Sequence, residues 1–495
     1  MPAYEGLPEE IYTRYGDEAF VDTLQPASDY GRLYPYIGKS LRCSGVRYGL
    51  ADAQGRIVVD PVYEDVSYDA KGPEAGAEYL SLTYTFEKED VDALKATPDL
   101  WFFDIPRRFQ FAKTDGSWVS PLYFGTHAVL SEDRVIVTAR SDDPAYMYSD
   151  EGTKYQLYDL EANLISEGEG YLSEFSEGLC LRMRSFEKNG EYHRDCSYID
   201  KNGNVAIAGP FSDATGFRDG EALVTLDENK VFAAIDRQGN YLFEPKRVGG
   251  SIDLNDSDYI TYWNGYSKGL IDRRGNIVVP EAYGYSWDDS QQNWPLLAVK
   301  NPDQTHSIIN LQTGLAEQVE GGFSAVYSAG DGWFMAEKRD EEHDWQLLEA
   351  CLIRGGERRQ LPVPEQGDIY FRHVANDMFT INRYGDSARE EDSVSFFDAS
   401  IGETVKSLPG WHYSNCELTA QGRVYFLSGT RIWSLMVLNE DLEPIFSAEN
   451  MDGVGTIRDI RYLEDDMFSV CTDRFGGLVR MDGSWLMRVV VREQD

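Results

Sequence analysis

Apolar and polar residues alternate with a period of two along most of this chain, in short runs broken by Gly, Asp, Asn and Pro. A period of two is the signature of a half-buried strand, and those four residues punctuate turns, so the pattern predicts short antiparallel strands almost throughout. Only ALKATPDLW (93–101) reads as helix.

The alternation is itself repeated. Four segments align: YGLADAQGRIVVDPVYEDV (48–66), YIDKNGNVAIAGPFSDA (198–214), AIDRQGNYLFEPKRV (234–248) and KGLIDRRGNIVVPEAY (268–283). Each runs from an apolar strand into Asp-x-x-Gly, then a second strand with a Pro close by. The Asp side chain accepts from the backbone two residues on, and Gly takes the left-handed position of a type I turn with a G1 bulge. Asp52 and Gly55, Asp200 and Gly203, Asp236 and Gly239, and Asp272 and Gly275 are therefore expected hairpin tips. The prolines that follow, Pro61, Pro210, Pro245 and Pro280, lack an amide donor and are expected to end the second strand or lie on an edge.

Looser copies fill the gaps, at 109–121, 155–166, 307–319, 351–363, 394–408, 435–446 and 477–489. Between hairpins a second alternating pair recurs, as in YLSEFSEGLCLRMRS (171–185) and FSDATGFRDGEALVTL (211–226). One unit is then four short strands in roughly 40 residues, the size of a propeller blade. The expected fold is an all-β, β-propeller-like array of about ten short four-stranded units whose ends close on each other, with a β-solenoid as the alternative. Units start near 48, 109, 155, 197, 233, 268, 307, 351, 394, 435 and 477, in one array over 29–495 preceded by an N-terminal extension, 1–28. The final hairpin has no return strands after it, and DYGRLYPYIGKSLRCSGV (29–46) offers strand without a hairpin, so the two ends are expected to complete one shared blade.

At these residues the chain resembles the WG-repeat (KWG) family, whose unit runs Trp-Gly-aromatic-Ile-Asp-x-x-Gly-x-x-Val/Ile-x-x-Pro and then a Phe-x-x-Gly-x-Ala return. The resemblance covers most of 48–285 well and 305–491 by pattern. The naming Trp-Gly is replaced here by Tyr48-Gly49, Ser197-Tyr198, Ala233-Ala234 and Lys268-Gly269, whereas the hairpin Asp and Gly persist. The resemblance implies a bacterial interaction or ligand-binding module and carries over no catalytic residue.

Composition narrows the partners. In 495 residues, 85 Asp and Glu stand against 46 Lys and Arg, for a net charge of −39, and 42% of residues are hydrophobic. That apolar mass, with 31 Tyr, 23 Phe and 10 Trp, is enough to build a core. A polyanionic partner needs clustered Lys and Arg, so nucleic acid and an anionic membrane surface are disfavoured. No apolar run reaches the roughly 18 residues of a membrane-spanning helix, and the first 20 residues lack a signal-peptide pattern. As the sequence stands the expected compartment is cytoplasmic, or the cell surface or exterior if a leader has been removed. Six cysteines (43, 180, 196, 351, 416 and 471) are far apart and read as buried thiols.

Motifs with mechanics are not found. No Gly-x-Ser-x-Gly elbow appears, and the six histidines form no ligand spacing. His343 in RDEEHD and the pair Asp256 and Asp258 are read as turns before metal ligands, and TDGSW (114–118) and MDGSW (481–485) as turns before Asp boxes. No catalytic residue, metal or cofactor is expected. The densest unusual feature is 259–294, where Tyr259, Tyr262, Trp263, Tyr266, Tyr283, Tyr285, Trp287 and Trp294 lie with Asp288 and Asp289. Aromatic faces beside carboxylates suit a sugar ring or a peptide, so these ten are the ligand-binding candidates. Alternation puts Tyr262 and Trp263 on opposite faces of one strand. The expectation is a non-catalytic scaffold for a protein, peptide or glycan; the rival is a carbohydrate-active enzyme with an acidic site at the centre of a propeller.

Overall fold

Each alternating run is a strand and each polar break a turn. The computed structural model describes residues 21–39, 46–74, 76–84, 107–139, 153–188, 191–265, 267–280, 293–340, 346–363, 368–384, 392–419, 422–429, 434–448, 457–463 and 465–490. Among them there is no α-helix, and the strands form ten antiparallel sheets. Residues 93–101 lie outside the described residues. Sheet 1 (34–125) has six strands. Sheets 2 to 10 span 127–169, 171–211, 213–247, 251–279, 296–319, 325–360, 368–409, 411–447 and 457–490, each with four strands except sheet 6, which has three among the described residues. Every sheet is a meander in chain order, and the fold is an all-β, propeller-type array.

The return pair supplies strands one and two of a sheet, and the hairpin supplies strands three and four. In sheet 3, Tyr171–Ser176 and Leu179–Lys188 precede Glu191–Asp200 and Val205–Phe211. The chain forms two compact units: Met1–Arg247, Leu254–Asp256 and Met451–Asp495 make the first, Val248–Asp253 and Ser257–Asn450 the second. In each, the core is a series of slabs between consecutive sheets. In the first unit Leu181, Tyr198 and Ile207 of sheet 3 meet Ala222, Val224 and Ile235 of sheet 4. In the second, Trp333, Met335 and Leu352 of sheet 7 meet Phe379, Ile381 and Phe397 of sheet 8. Each of the larger side chains contributes about 1.5–3 kcal/mol by leaving water, so the slabs outweigh any single turn.

The two ends of the array meet inside the first unit, which excludes the solenoid alternative. Tyr34, Tyr36, Ala51 and Ile57 share a buried cluster with Leu463, Met467, Leu478, Met487 and Val489 of sheet 10. They do not share a blade. Strand Tyr34–Lys39 is hydrogen-bonded to Val46–Ala51 in sheet 1, and sheet 10 has four strands of its own. The expected shared blade assumed that return strands follow the last hairpin; they precede it, as Ile457–Tyr462 and Met467–Thr472, so the last sheet is complete and closure is face to face.

One proline also differs from expectation. Pro61 lies inside the 14-residue strand Ile57–Ala70, at the register shift between Leu50↔Val59 and Tyr48↔Tyr63. Pro210 lies on an edge as expected, in Val205–Phe211, the outer strand of sheet 3, at the shift between Tyr198↔Ile207 and Cys196↔Phe211. A bulge leaves one residue out of the ladder, so the missing amide costs nothing there and the strand continues. Pro280 follows the strand Ile277–Val279 directly, and Pro245 precedes Lys246–Arg247.

Candidate functional site

The hairpin tips are built alike. Asp52 Oδ1 accepts the Gln54 and Arg56 amides at 3.0 and 2.8 Å, and Gly55 donates its amide to the Asp52 carbonyl at 2.9 Å. Asp200, Asp236 and Asp272 repeat this with amides two and four residues on. Gly55, Gly203, Gly239 and Gly275 take φ of 80°, 78°, 82° and 69°. A second constraint acts at Gly239, where an added Cβ would sit 2.9 Å from Ile207 Cγ2 of the preceding sheet.

These tips also fix charge. The Asn240 and Asn163 side chains, with backbone amides, hold the Asp236 and Asp159 carboxyls below the usual carboxylate range. At Asp200 burial pushes upward, and the amides of Asn204 and Asn202 outweigh it, so its value is lowered too. In TDGSW and MDGSW, Asp115 and Asp482 accept from Ser117 and Ser484 at 2.9 Å, and both carboxyls are lowered.

The glycine of the Trp-Gly position has a cross-strand reason. Tyr36 stands opposite Gly49 and Tyr262 opposite Gly269. A Cβ on Gly49 would lie 2.6 Å from the Tyr36 ring, and one on Gly269 2.3 Å from the Tyr262 ring. Each tyrosine is fully buried over its glycine, which covers a backbone that no side chain could share.

The aromatic segment 259–294 is divided by this packing. Tyr262 is core, whereas Trp263, on the other face of strand Tyr259–Asn264, is half-buried with the Lys268 ammonium 4.8 Å from its ring. Tyr259 and Trp294 meet edge to face at 5.0 Å and pack against the cluster of Leu270, Val279 and Leu297. Tyr266, Tyr283, Tyr285, Trp287, Asp288 and Asp289 lie outside the described residues. Trp263 is thus the one ring, among the described candidates, that leans away from a core cluster.

Other groups singled out by type are engaged structurally. Cys180, Cys196, Cys351 and Cys471 are buried free thiols; burial pushes Cys180 and Cys196 up to about 12 and Cys471 to about 11. Asp256 pairs with Arg218 at 3.7 Å. His193 stacks on Phe186 at 5.8 Å, and His373 Nε2 lies 2.7 Å from the Asn376 carbonyl oxygen. Cys43 and His343 lie outside the described residues.

A second aromatic group was not evident from sequence. Tyr370, Tyr384 and His412 belong to three strands in sheets 8 and 9, and only pairing across the sheet and packing between sheets brings them together. No local spacing signals them; only the register of Asp368–Ala375 with Met378–Tyr384 relates the two tyrosines.

Comparison with known proteins agrees with the repeat. The family model of the WG containing repeat matches residues 48–72 and 197–229. No curated protein matches the chain by sequence. Among solved structures, a crystal structure of a eukaryotic initiation factor is similar at 10% identity over 84% of this chain and 96% of that one, with a TM-score of 0.37. Kluyveromyces lactis Hsv2 is similar at 13% identity over 53% and 90%, TM-score 0.26, and apo AztD from Citrobacter koseri at 11% over 59% and 91%, TM-score 0.26. Likenesses of this strength leave the fold assignment to the sheets themselves.

Proposed function

The chain carries WG repeats at 48–72 and 197–229, and from that premise we propose that it is a non-catalytic repeat scaffold that binds a protein, peptide or glycan ligand. The observation that carries this reading is a repeated exposed side chain. Directly after three successive hairpin tips of the first unit, Leu164, Val205 and Tyr241 stand 50%, 50% and 48% exposed. Apolar groups held in water at the same place in consecutive sheets are what a repeat surface offers a partner.

The rival reading asks for a general acid, and therefore for a carboxyl raised toward neutrality by burial or a like charge. Asp115, Asp133, Asp159, Asp200, Asp227, Asp236, Asp303 and Asp482 are instead all held below the usual carboxylate range. Turn amides, hydroxyls and ion pairs favour the charged acceptor over the acid.

The test is to probe the full chain on glycan and peptide arrays beside a panel of chromogenic glycosides. The scaffold reading expects saturable binding without turnover. Turnover abolished by one Asp→Asn or Glu→Gln substitution overturns it.

A further inference from the structure

Where sheets 8 and 9 face each other in the second unit, the rim is aromatic. Strands Asp368–Ala375 and Met378–Tyr384 pair with Tyr370 opposite Asn382 and Asp368 opposite Tyr384. The two-residue offset puts Tyr370 and Tyr384 on one face of the sheet, and their rings meet edge to face at 5.4 Å and 86°. His412, at the start of Trp411–Thr419 in sheet 9, brings its imidazole to 4.1 Å from the Tyr384 ring. The Asp392 carboxylate lies 3.4 Å from His412 Nε2.

The floor beneath this corner is fixed. Buried Asn382 accepts the Tyr413 amide across the sheets at 2.8 Å, and Arg372 lies 5.8 Å from the Tyr413 ring while donating to the Ser414 carbonyl at 3.2 Å. Yet Tyr370 is 60% exposed and Tyr384 38%. Two rings are held at right angles, Tyr370 the more open and Tyr384 backed by His412.

The geometry points to a subsite for a neutral pyranose residue of a glycan, with Tyr370 as the stacking platform, Tyr384 as the wall backed by His412, and Asp392 as the polar edge. The CH face of a pyranose is apolar and flat enough to lie on one ring, while its equatorial hydroxyls radiate in plane and meet a carboxylate at the side. A proline-rich peptide fits less well, because it docks between parallel aromatic ridges rather than in a perpendicular corner. A polyanionic glycan is opposed by the net charge of −39. This assignment rests on the scaffold reading and names a place and a ligand class for it.

The test is calorimetric titration of the full chain with cellohexaose, laminarihexaose, maltohexaose and chitohexaose, and with a proline-rich dodecapeptide. At least one hexaose is expected to saturate. Tyr370→Ala and Asp392→Asn are each expected to weaken it by about tenfold or more, the scale of a hot-spot contact, with no change in thermal midpoint. Leu418→Ser, an exposed leucine of the same sheet 9 strand as His412 but away from the corner, is expected to leave affinity unchanged. Binding of no hexaose overturns the subsite, as does binding that both variants leave intact; in the latter case the scaffold reading stands with its glycan elsewhere. Peptide binding that the variants abolish overturns the ligand class. Hydrolysis of a bound hexaose, lost in Asp392→Asn, overturns the scaffold reading and keeps the subsite.

Discussion

A turn aspartate in this chain is both a fold determinant and a fixed charge. Asp236 satisfies two backbone amides, and Gly239 closes the turn in the left-handed region against Ile207. Gly239→Ala is expected to cost more than the about 1–2 kcal/mol of left-handed strain alone, because its Cβ also meets Ile207. Gly178→Ala is the control, since its φ is 77° but nothing lies within 4 Å of the added carbon; urea midpoints of the two variants separate strain from contact. The same aspartates set an acid limit. Because Asp159, Asp200 and Asp236 titrate below their unfolded values, their stabilisation is complete above about pH 4, the unfolded carboxylate range, and is lost as pH falls through the lower folded values. Burial likewise lowers His306 and His127, so their contribution is complete above about pH 6.5 and falls as pH drops below it. Unfolding by urea at pH 7.5 and 5.5 is expected to show that loss, and His306→Asn to reduce it. This scale was legible in the sequence because Asp, Gly and the amides they serve lie within four residues of one another. The Tyr370, Tyr384 and His412 corner was not, because no local rule links its three strands.

Between turn and molecule stands the sheet, and here the neighbour decides. The glycine at 49 and 269 persists without the tryptophan of the family pattern because a tyrosine from the preceding strand occupies the space its side chain would need. Gly269→Ala is expected to cost about 1–3 kcal/mol, as overpacking does. In a Tyr262→Leu background the further cost is expected to shrink, so that a double-mutant cycle by thermal unfolding is non-additive. Sheets are also latched to one another. Trp333 of sheet 7 donates its indole N–H to Asp377 of sheet 8 at 2.7 Å, and Arg354 donates to the same oxygen at 2.6 Å while its guanidinium lies 4.1 Å from the Trp333 ring. Asp377→Ala is expected to destabilise by about 1–3 kcal/mol, because it leaves a buried indole donor unpaired. Strands were legible from alternation, but their grouping into sheets was not: a repeat reads the same from any starting point, and only Tyr34–Lys39 pairing with Val46–Ala51 shows where the first sheet begins.

At the scale of the whole chain the acidity acts as self-repulsion. A net charge of −39 strains a folded body more than an expanded one, and salt screens it over about 10 Å at 0.1 M. Raising sodium chloride from 20 to 200 mM is expected to raise the thermal midpoint, and a fall would mean that ion pairs outweigh repulsion. One set of pairs is placed where the ends meet: Arg32 reaches Asp465 at 3.0 Å and Glu78 at 2.6 Å, and the Tyr34 hydroxyl donates to Asp465 at 3.3 Å. Burial, with Asp465 beside it, pushes the Tyr34 phenol up to about 12. The partners Tyr34 and Asp465 are 431 residues apart along the chain. In a flexible chain, bringing such points together costs about 5 kcal/mol of entropy in the logarithmic limit, and the facing cluster at the seam is what offsets it. The seam is therefore expected to form late in folding, as contacts of great sequence separation tend to. In refolding, a probe at Tyr34 should report after one placed within sheet 3 or 4, and unfolding should begin where the chain is held only by what it meets last.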